Sequence, residues 1–250
     1  MERPAPLIKK TLVDQLVQSL SRAIFRRELK PGELLPPLRA LAGDYGVTVP
    51  TAQRAVARLE QMGLVDVRHG SGMRVIDPAL RANLGCLSDW LDALLDAPEE
   101  ARQLASELLE LRRDVVVLAT LRVRRFVRTR TFAPITTATD HLFKLCALSG
   151  ADPEALMRAD MAVLRSLLVV RPQRALGATF NGLEQALERV EVFRRAMYAE
   201  PEQNAMSYRM ILDFLASRRQ DEDLQWLIDT VLADLDTATL DRLGRLLAAP

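Results

Sequence analysis

The chain has 250 residues, 49% of them apolar, with 34 Lys and Arg against 33 Asp and Glu and a formal net charge of +1. That is enough for one large domain or two modest ones with real cores, and no apolar run approaches the roughly 18 residues that would suggest a membrane span. The two cysteines, Cys86 and Cys146, stand far apart with no CxxC and no histidine cluster, which argues against a metal or disulfide framework.

The small net charge hides an asymmetry. Residues 1–80 hold 12 basic and 8 acidic side chains, net +4, whereas residues 81–250 hold 22 and 25, net −3. A basic front on an acidic body suits a chain whose first part meets phosphates. Residues 1–10 lack an apolar core followed by a cleavage site, so the expected compartment is the cytoplasm.

In chain order, residues 11–28 place Leu12, Leu16, Leu20, Ala23 and Ile24 on one stripe, the pattern of an amphipathic helix. Thr11 or Asp14 is placed to cap it, and Lys30-Pro31-Gly32 stops it. Pro36 and Pro37 fall before or at the first turn of the next helix, where proline is tolerated. That helix, 38–45, ends at Gly46, and a second, 50–62, starts after Thr48 or Val49. Two β-rich pieces follow, 64–68 and 73–76, joined by His69-Gly70-Ser71-Gly72. Helix, tight turn, helix and a two-stranded ribbon read as a winged helix-turn-helix, so the first expectation is sequence-specific binding of double-stranded DNA.

The second helix of that unit needs one face for the core and one for base edges. Ala52, Ala55, Val56, Leu59 and Met62 form the first, and Thr51, Gln53, Arg54 and Arg58 the second. Gln can bond adenine bidentately and Arg can do the same to guanine. Thr48 and Thr51 offer hydroxyls, and Arg39, early in the preceding helix, is placed to meet a phosphate. The wing tip His69, Gly70 and Ser71 can lie along a minor groove. His69 fits a surface turn or a groove contact, and Arg58 a solvated face or a phosphate contact.

After Asp77-Pro78 the β character ends, and from about residue 85 the pattern is helical throughout. Helical runs cover 87–95, 104–127, 135–148, 153–170, 175–198, 202–216 and 222–235, with a short tail at 239–247. The expected fold is mainly α. It comprises a winged helix-turn-helix over 1–78 (α with a small β-wing), a linker over 79–84 and an all-α helical bundle over 85–250.

The segment LLPPLRALAGDYGVTVPTAQRAVARLEQMGLVDVRHGSG resembles the DNA-binding domain of GntR-family bacterial transcription regulators. Leu35, Pro36, Arg39, Leu41, Ala42, Val47, Thr51, Ala55, Leu59, Gly63, Leu64, Val65, Gly70 and Gly72 fall on that family's pattern. Val49 and Gln53 stand where many members carry Arg. The resemblance therefore implies the fold and the groove geometry but not the usual operator sequence. It also implies a homodimer on a near-palindromic operator, since a two-fold protein matches a two-fold site.

The helical half resembles the family's FadR-like branch, through residues 108–123, 158–170 and 180–215. Most of that branch holds a metal through one Asp and three His from separate helices. Asp160 matches the Asp, but the His positions fall near Leu164, Tyr208 and Leu232, so no metal is expected. Branch members without those ligands bind long-chain acyl-CoA in the bundle, so the resemblance implies a fatty acyl-CoA or fatty-acid effector. Ala233 and Asp236 stand where the acyl-CoA sensor carries a glycine and a serine.

Arg112, Asp160, Asn181 and Tyr208 are the polar residues expected to line a ligand cavity. The implied mechanism is a repressor-like switch in which ligand changes the spacing of the two DNA-binding units. Two alternatives are a metal-dependent sensor of a small carboxylate or sugar acid, and a partner-docking regulator without a small ligand. No nucleophile motif or Gly-rich phosphate loop points to an enzyme, and no cofactor is expected.

Overall fold

The computed structural model describes residues 11–68, 70–126, 132–148, 150–170, 174–217 and 221–248. Contacts divide the chain into two units, meeting between Leu94 and Leu95. The fold is mainly α, with one three-stranded sheet in the N-terminal unit and helices throughout the C-terminal one.

In the N-terminal unit, α1 (Leu12–Phe25) starts with a complete capping box. The Thr11 hydroxyl accepts the Asp14 N–H, and the Asp14 carboxylate accepts the Thr11 N–H. Its stripe Leu16, Val17, Leu20, Ile24 and Phe25 is buried. After β1 (Leu34–Leu35), α2 (Leu38–Asp44) and α3 (Val49–Gln61) form the helix-turn-helix. Both helices end in a left-handed glycine, Gly46 at φ 61° and Gly63 at φ 79°. In each, the glycine N–H and the next N–H close back onto the helix's last carbonyls, which satisfies groups a helix end leaves orphaned. The core joins Leu20, Ile24, Leu41, Ala52, Ala55, Leu59, Leu64 and Val75. Each fully buried leucine or isoleucine there contributes roughly 1.5–3 kcal/mol of transfer free energy.

β2 (Val65–Arg68) and β3 (Gly72–Val75) pair antiparallel with Val65 opposite Val75 and Arg68 opposite Gly72. β1 adds to the other edge of β3, giving the order β1-β3-β2. The sequence reading contained no β1: two residues carry no period, and they form a strand only because β3 offers an open edge.

The short helix α4 (Pro78–Arg81) and a 3₁₀ turn at Leu84–Cys86 occupy the expected linker, and α5 (Leu87–Ala93) follows. The sequence reading placed residues 85–94 with the C-terminal helices, but the structure packs α5 into the N-terminal unit. Cys86 and Ala93 are in its core, and Trp90 stacks on Phe25 with ring centroids 5.2 Å apart. An amphipathic seven-residue helix next to a boundary can bury its face on either side, and here the Phe25 ring decides it.

The C-terminal unit contains α6 (Pro98–Phe126), α7 (Ala133–Cys146), α8 (Pro153–Val170), α9 (Arg174–Arg189), α10 (Glu191–Met197), α11 (Pro201–Ala216), α12 (Asp221–Leu227) and α13 (Ala233–Ala248). Pro98, Pro153 and Pro201 each open a helix, and Pro134 lies in the first turn of α7. The single run expected over 175–198 is interrupted at Val190, which is extended (φ −95°, ψ 98°) and buried. No Gly or Pro marks that break; burial of Val190 sets it. Conversely, the gap expected near residue 237 is helical, and a π-helical turn at Ile228–Leu232 joins α12 to α13. Among the described residues no helix is long and apolar enough to cross a membrane.

Candidate nucleic-acid interface and a buried polar cluster

Helix α3 is built so that its polar face begins at its first turn. Thr48 is its N-cap, in extended conformation, with its hydroxyl accepting the Thr51 N–H at 3.3 Å and lying 2.9 Å from the Thr51 hydroxyl. Pro50 occupies the first turn, where its missing N–H has no cost. The buried face is Ala52, Ala55, Val56 and Leu59, which leaves Gln53 and Arg54 exposed. Neither makes a hydrogen bond or ion pair with a described residue, and the same holds for exposed Arg39 on α2. Thr48→Ala is expected to destabilise the N-terminal unit by about 1 kcal/mol, read from its urea midpoint; an unchanged midpoint would remove the capping role.

The structure brings Gln53 together with Gly70 and Ser71 around one open groove of about 870 Å³ between α3, the wing and residues 34–38. His69 lies outside the described residues. Gly70 and Gly72 have φ of 79° and 88°, so the turn between β2 and β3 needs glycine at both positions. The two wing arginines are engaged within the unit. Arg68 pairs with Asp66 at 2.8 Å, and Arg74 donates to the Gly32 carbonyl.

Arg58 differs from its neighbours on α3. Its guanidinium is hydrogen-bonded to the Asp14 carboxylate at the start of α1. Hydrogen bonds from Thr11 and Arg58 hold the Asp14 carboxyl down at about 2. The contact ties α1 to α3 and occupies the side chain that the sequence offered to phosphate. Asp14, three residues into another helix, gave no sequence signal for that pairing.

In the C-terminal unit, three of the four polar residues expected to line a cavity converge, but on one another. Arg112 of α6 donates to the Asp160 carboxylate of α8 at 3.0 Å and to the Tyr208 hydroxyl of α11 at 2.9 Å. Tyr198, which the sequence reading missed, donates to the same Asp160 oxygen at 2.6 Å. All four are buried, Asp160 completely. Burial pushes both tyrosines well above the ordinary phenol range, so both stay neutral, Tyr198 donating to Asp160 and Tyr208 accepting from Arg112. Arg112 Nε and Asp160 Oδ1 have no hydrogen-bond partner among the described residues. Asp236 of α13 stands 3.1 Å from the Arg113 guanidinium, and burial raises its carboxyl against the pull of Arg112 and Arg113. Asn181 does not join this cluster: it is exposed on α9, because the buried face of that helix is Phe180, Leu183, Glu184 and Leu187. Among the described residues no group of three or more His, Cys, Asp or Glu is placed to hold a metal ion.

Residues 12–75 match the model for bacterial regulatory proteins of the gntR family. The HTH-type transcriptional regulator Rv0494 of Mycobacterium tuberculosis is 33% identical, over 38% of this chain and 50% of its own length. The transcriptional repressor NanR of Edwardsiella tarda is 33% identical over 38% of this chain and 37% of its own. The mannosyl-D-glycerate transport/metabolism system repressor MngR of Escherichia coli is 30% identical over 35% and 36%. The chain thus spans half or less of the length of these curated relatives. Among solved structures, that of Lar, which "controls the expression of the Listeria monocytogenes agr system and mediates virulence", covers 95% of this chain and 99% of that one, at TM-score 0.56 and 18% identity. At that identity the likeness shows the fold: a winged helix N-terminus followed by a helical C-terminal domain.

Proposed function

We propose, from a gntR-family winged helix-turn-helix at residues 12–75 and a helical unit behind it, that this chain is a DNA-binding transcription regulator acting as a homodimer on a near-palindromic operator. The observation that carries the reading is the polar N-terminal face of α3. Gln53 and Arg54 are exposed and uncommitted beside a glycine-built wing, with the other helix face sealed in the core. Gln53 and Arg54 read base edges, Arg39, Thr48 and Thr51 position the helix on phosphates, and Gly70 and Ser71 bring the wing to the adjacent groove. Arg58 supports α3 from behind through Asp14 and contributes to DNA binding by placing that helix.

The test uses a duplex selected by the protein from a random library. Gln53→Ala and Arg54→Ala are each expected to lose about 1–3 kcal/mol of affinity for it and to relax preference at one base pair. Arg39→Ala is expected to weaken all duplexes alike and to lower the slope of log K against log salt by about 1. Fluorescence anisotropy across a salt series reads both. Wild-type affinity in the Gln53 and Arg54 variants would overturn the assignment.

The helical unit is the proposed effector domain, with a fatty acyl-CoA or fatty acid as the leading ligand class and DNA release as the response. Leu167, Phe180, Leu183, Ile211 and Leu215 supply buried apolar surface of the kind an acyl chain needs. Asp160, the residue on the metal-ligand pattern, is already engaged by Arg112 and Tyr198, which favours this over the metal-dependent carboxylate sensor. Denaturing mass spectrometry and metal analysis of purified protein separate the two: retained lipid supports the acyl reading, and stoichiometric zinc, manganese or nickel replaces it.

A further inference from the structure

Three arginines meet where α10 and α13 pack. Arg195, Arg242 and Arg245 line a surface pocket of about 290 Å³, with Ala199 and Leu246 completing it. Arg242 is held in place: its side chain is only 15% exposed and pairs with Glu200 at 2.9 Å. Arg195 and Arg245 are exposed and make no hydrogen bond or ion pair with a described residue. Glu200 therefore neutralises one of three positive charges. Arg242 and Arg245 are three residues apart on one helix face, a spacing at which like charges repel. The surroundings do not explain the excess, since residues 95–250 hold 21 Lys and Arg against 23 Asp and Glu, net −2.

We propose that this pocket binds a small phosphate monoester. At neutral pH such a group carries about −1.5 to −2 charges, which matches the two uncompensated guanidinium groups. Planar guanidinium forks suit phosphate oxygens, taking them two at a time. Ala199 and Leu246 give the organic part of the ester an apolar wall. The volume, about 290 Å³, falls just under the roughly 300–1,000 Å³ of drug-sized sites, which fits a small metabolite and is far too little for an acyl chain. The site is thus separate from the effector proposed above.

Isothermal titration of the full chain, in buffer free of phosphate and sulfate, tests it with glycerol 3-phosphate, inorganic phosphate and succinate as probes. The expected result is saturable binding of one glycerol 3-phosphate per chain, weakened at least tenfold in Arg195→Ala/Arg245→Ala and in Arg195→Gln/Arg245→Gln. Both side chains are exposed, so these variants keep the wild-type thermal midpoint. Arg39→Ala/Arg54→Ala is expected to bind the ester unchanged, which separates this pocket from the DNA-facing arginines. No saturable binding, loss in the Arg39/Arg54 pair instead, or succinate binding more tightly than the ester would each overturn the proposal.

Discussion

Asp160→Ala is expected to destabilise the C-terminal unit by about 3–5 kcal/mol, the cost of leaving one member of a buried ion pair without its partner. Arg112 is 5% exposed and Asp160 is fully buried, so the orphaned guanidinium has no route to water. Tyr198 loses the acceptor that it holds at 2.6 Å, which adds an unsatisfied donor. Removing both charges is a different matter. Asp160→Leu/Arg112→Leu is expected to recover much of the loss, since apolar residues of similar volume often replace a buried pair with little net cost. Urea unfolding reads the result. In a Trp226→Phe background, Trp90, stacked on Phe25 in the N-terminal unit, provides a fluorescence reference that should keep its midpoint while the far-ultraviolet signal of the helices shifts. A loss under 1 kcal/mol in Asp160→Ala would mean that the cluster is hydrated rather than dry.

The second large effect is expected at Gly63. Its φ is 79°, and a Cβ there would lie 2.1 Å from the Arg81 carbonyl oxygen and 2.8 Å from its carbon. A left-handed backbone costs an L-residue about 1–2 kcal/mol, and forcing atoms into a filled site costs about 1–3 kcal/mol. Gly63→Ala is thus expected to destabilise the N-terminal unit by roughly 2–5 kcal/mol. Gly46→Ala is the control, because Gly46 has φ 61° and nothing within 4 Å of its would-be Cβ. Only the backbone term applies there, about 1–2 kcal/mol. The contrast extends to the proposed DNA binding, since Gly63 joins α3 to β2 and a shift there moves the wing against α3. Equal losses at the two glycines, by thermal or urea midpoint, would refute the steric account.

The buried cluster and the exposed face of α3 differ in how far the sequence led to them. Arg112, Asp160 and Tyr208 stood out as polar residues among apolar helical runs, and the structure joins them. That they bond to one another is a matter of the relative rotation of α6, α8 and α11, which no local pattern encodes. Tyr198 follows a break at Val190 that carries no sequence signal, so its hydroxyl could not be placed on Asp160 in advance. Asn181 has the same composition-level appeal as Tyr208 but falls on the solvent side of α9.

The sequence by itself determined the winged helix-turn-helix, because each of its parts is specified by residues close together: Thr48 for the start of α3, Gly46 and Gly63 for the helix ends, and the alternation of α3 for its two faces. It equally determined that the second half is helical, through apolar periodicity. Only the tertiary structure decided that α5 belongs with the N-terminal unit, that β1 exists, that Arg58 is taken by Asp14, and that Arg195, Arg242 and Arg245 share a pocket. The physical reason is the same in each case. These features are contacts between residues far apart in the chain, fixed by which faces meet when whole elements pack, and short-range periodicity specifies a face without specifying its partner.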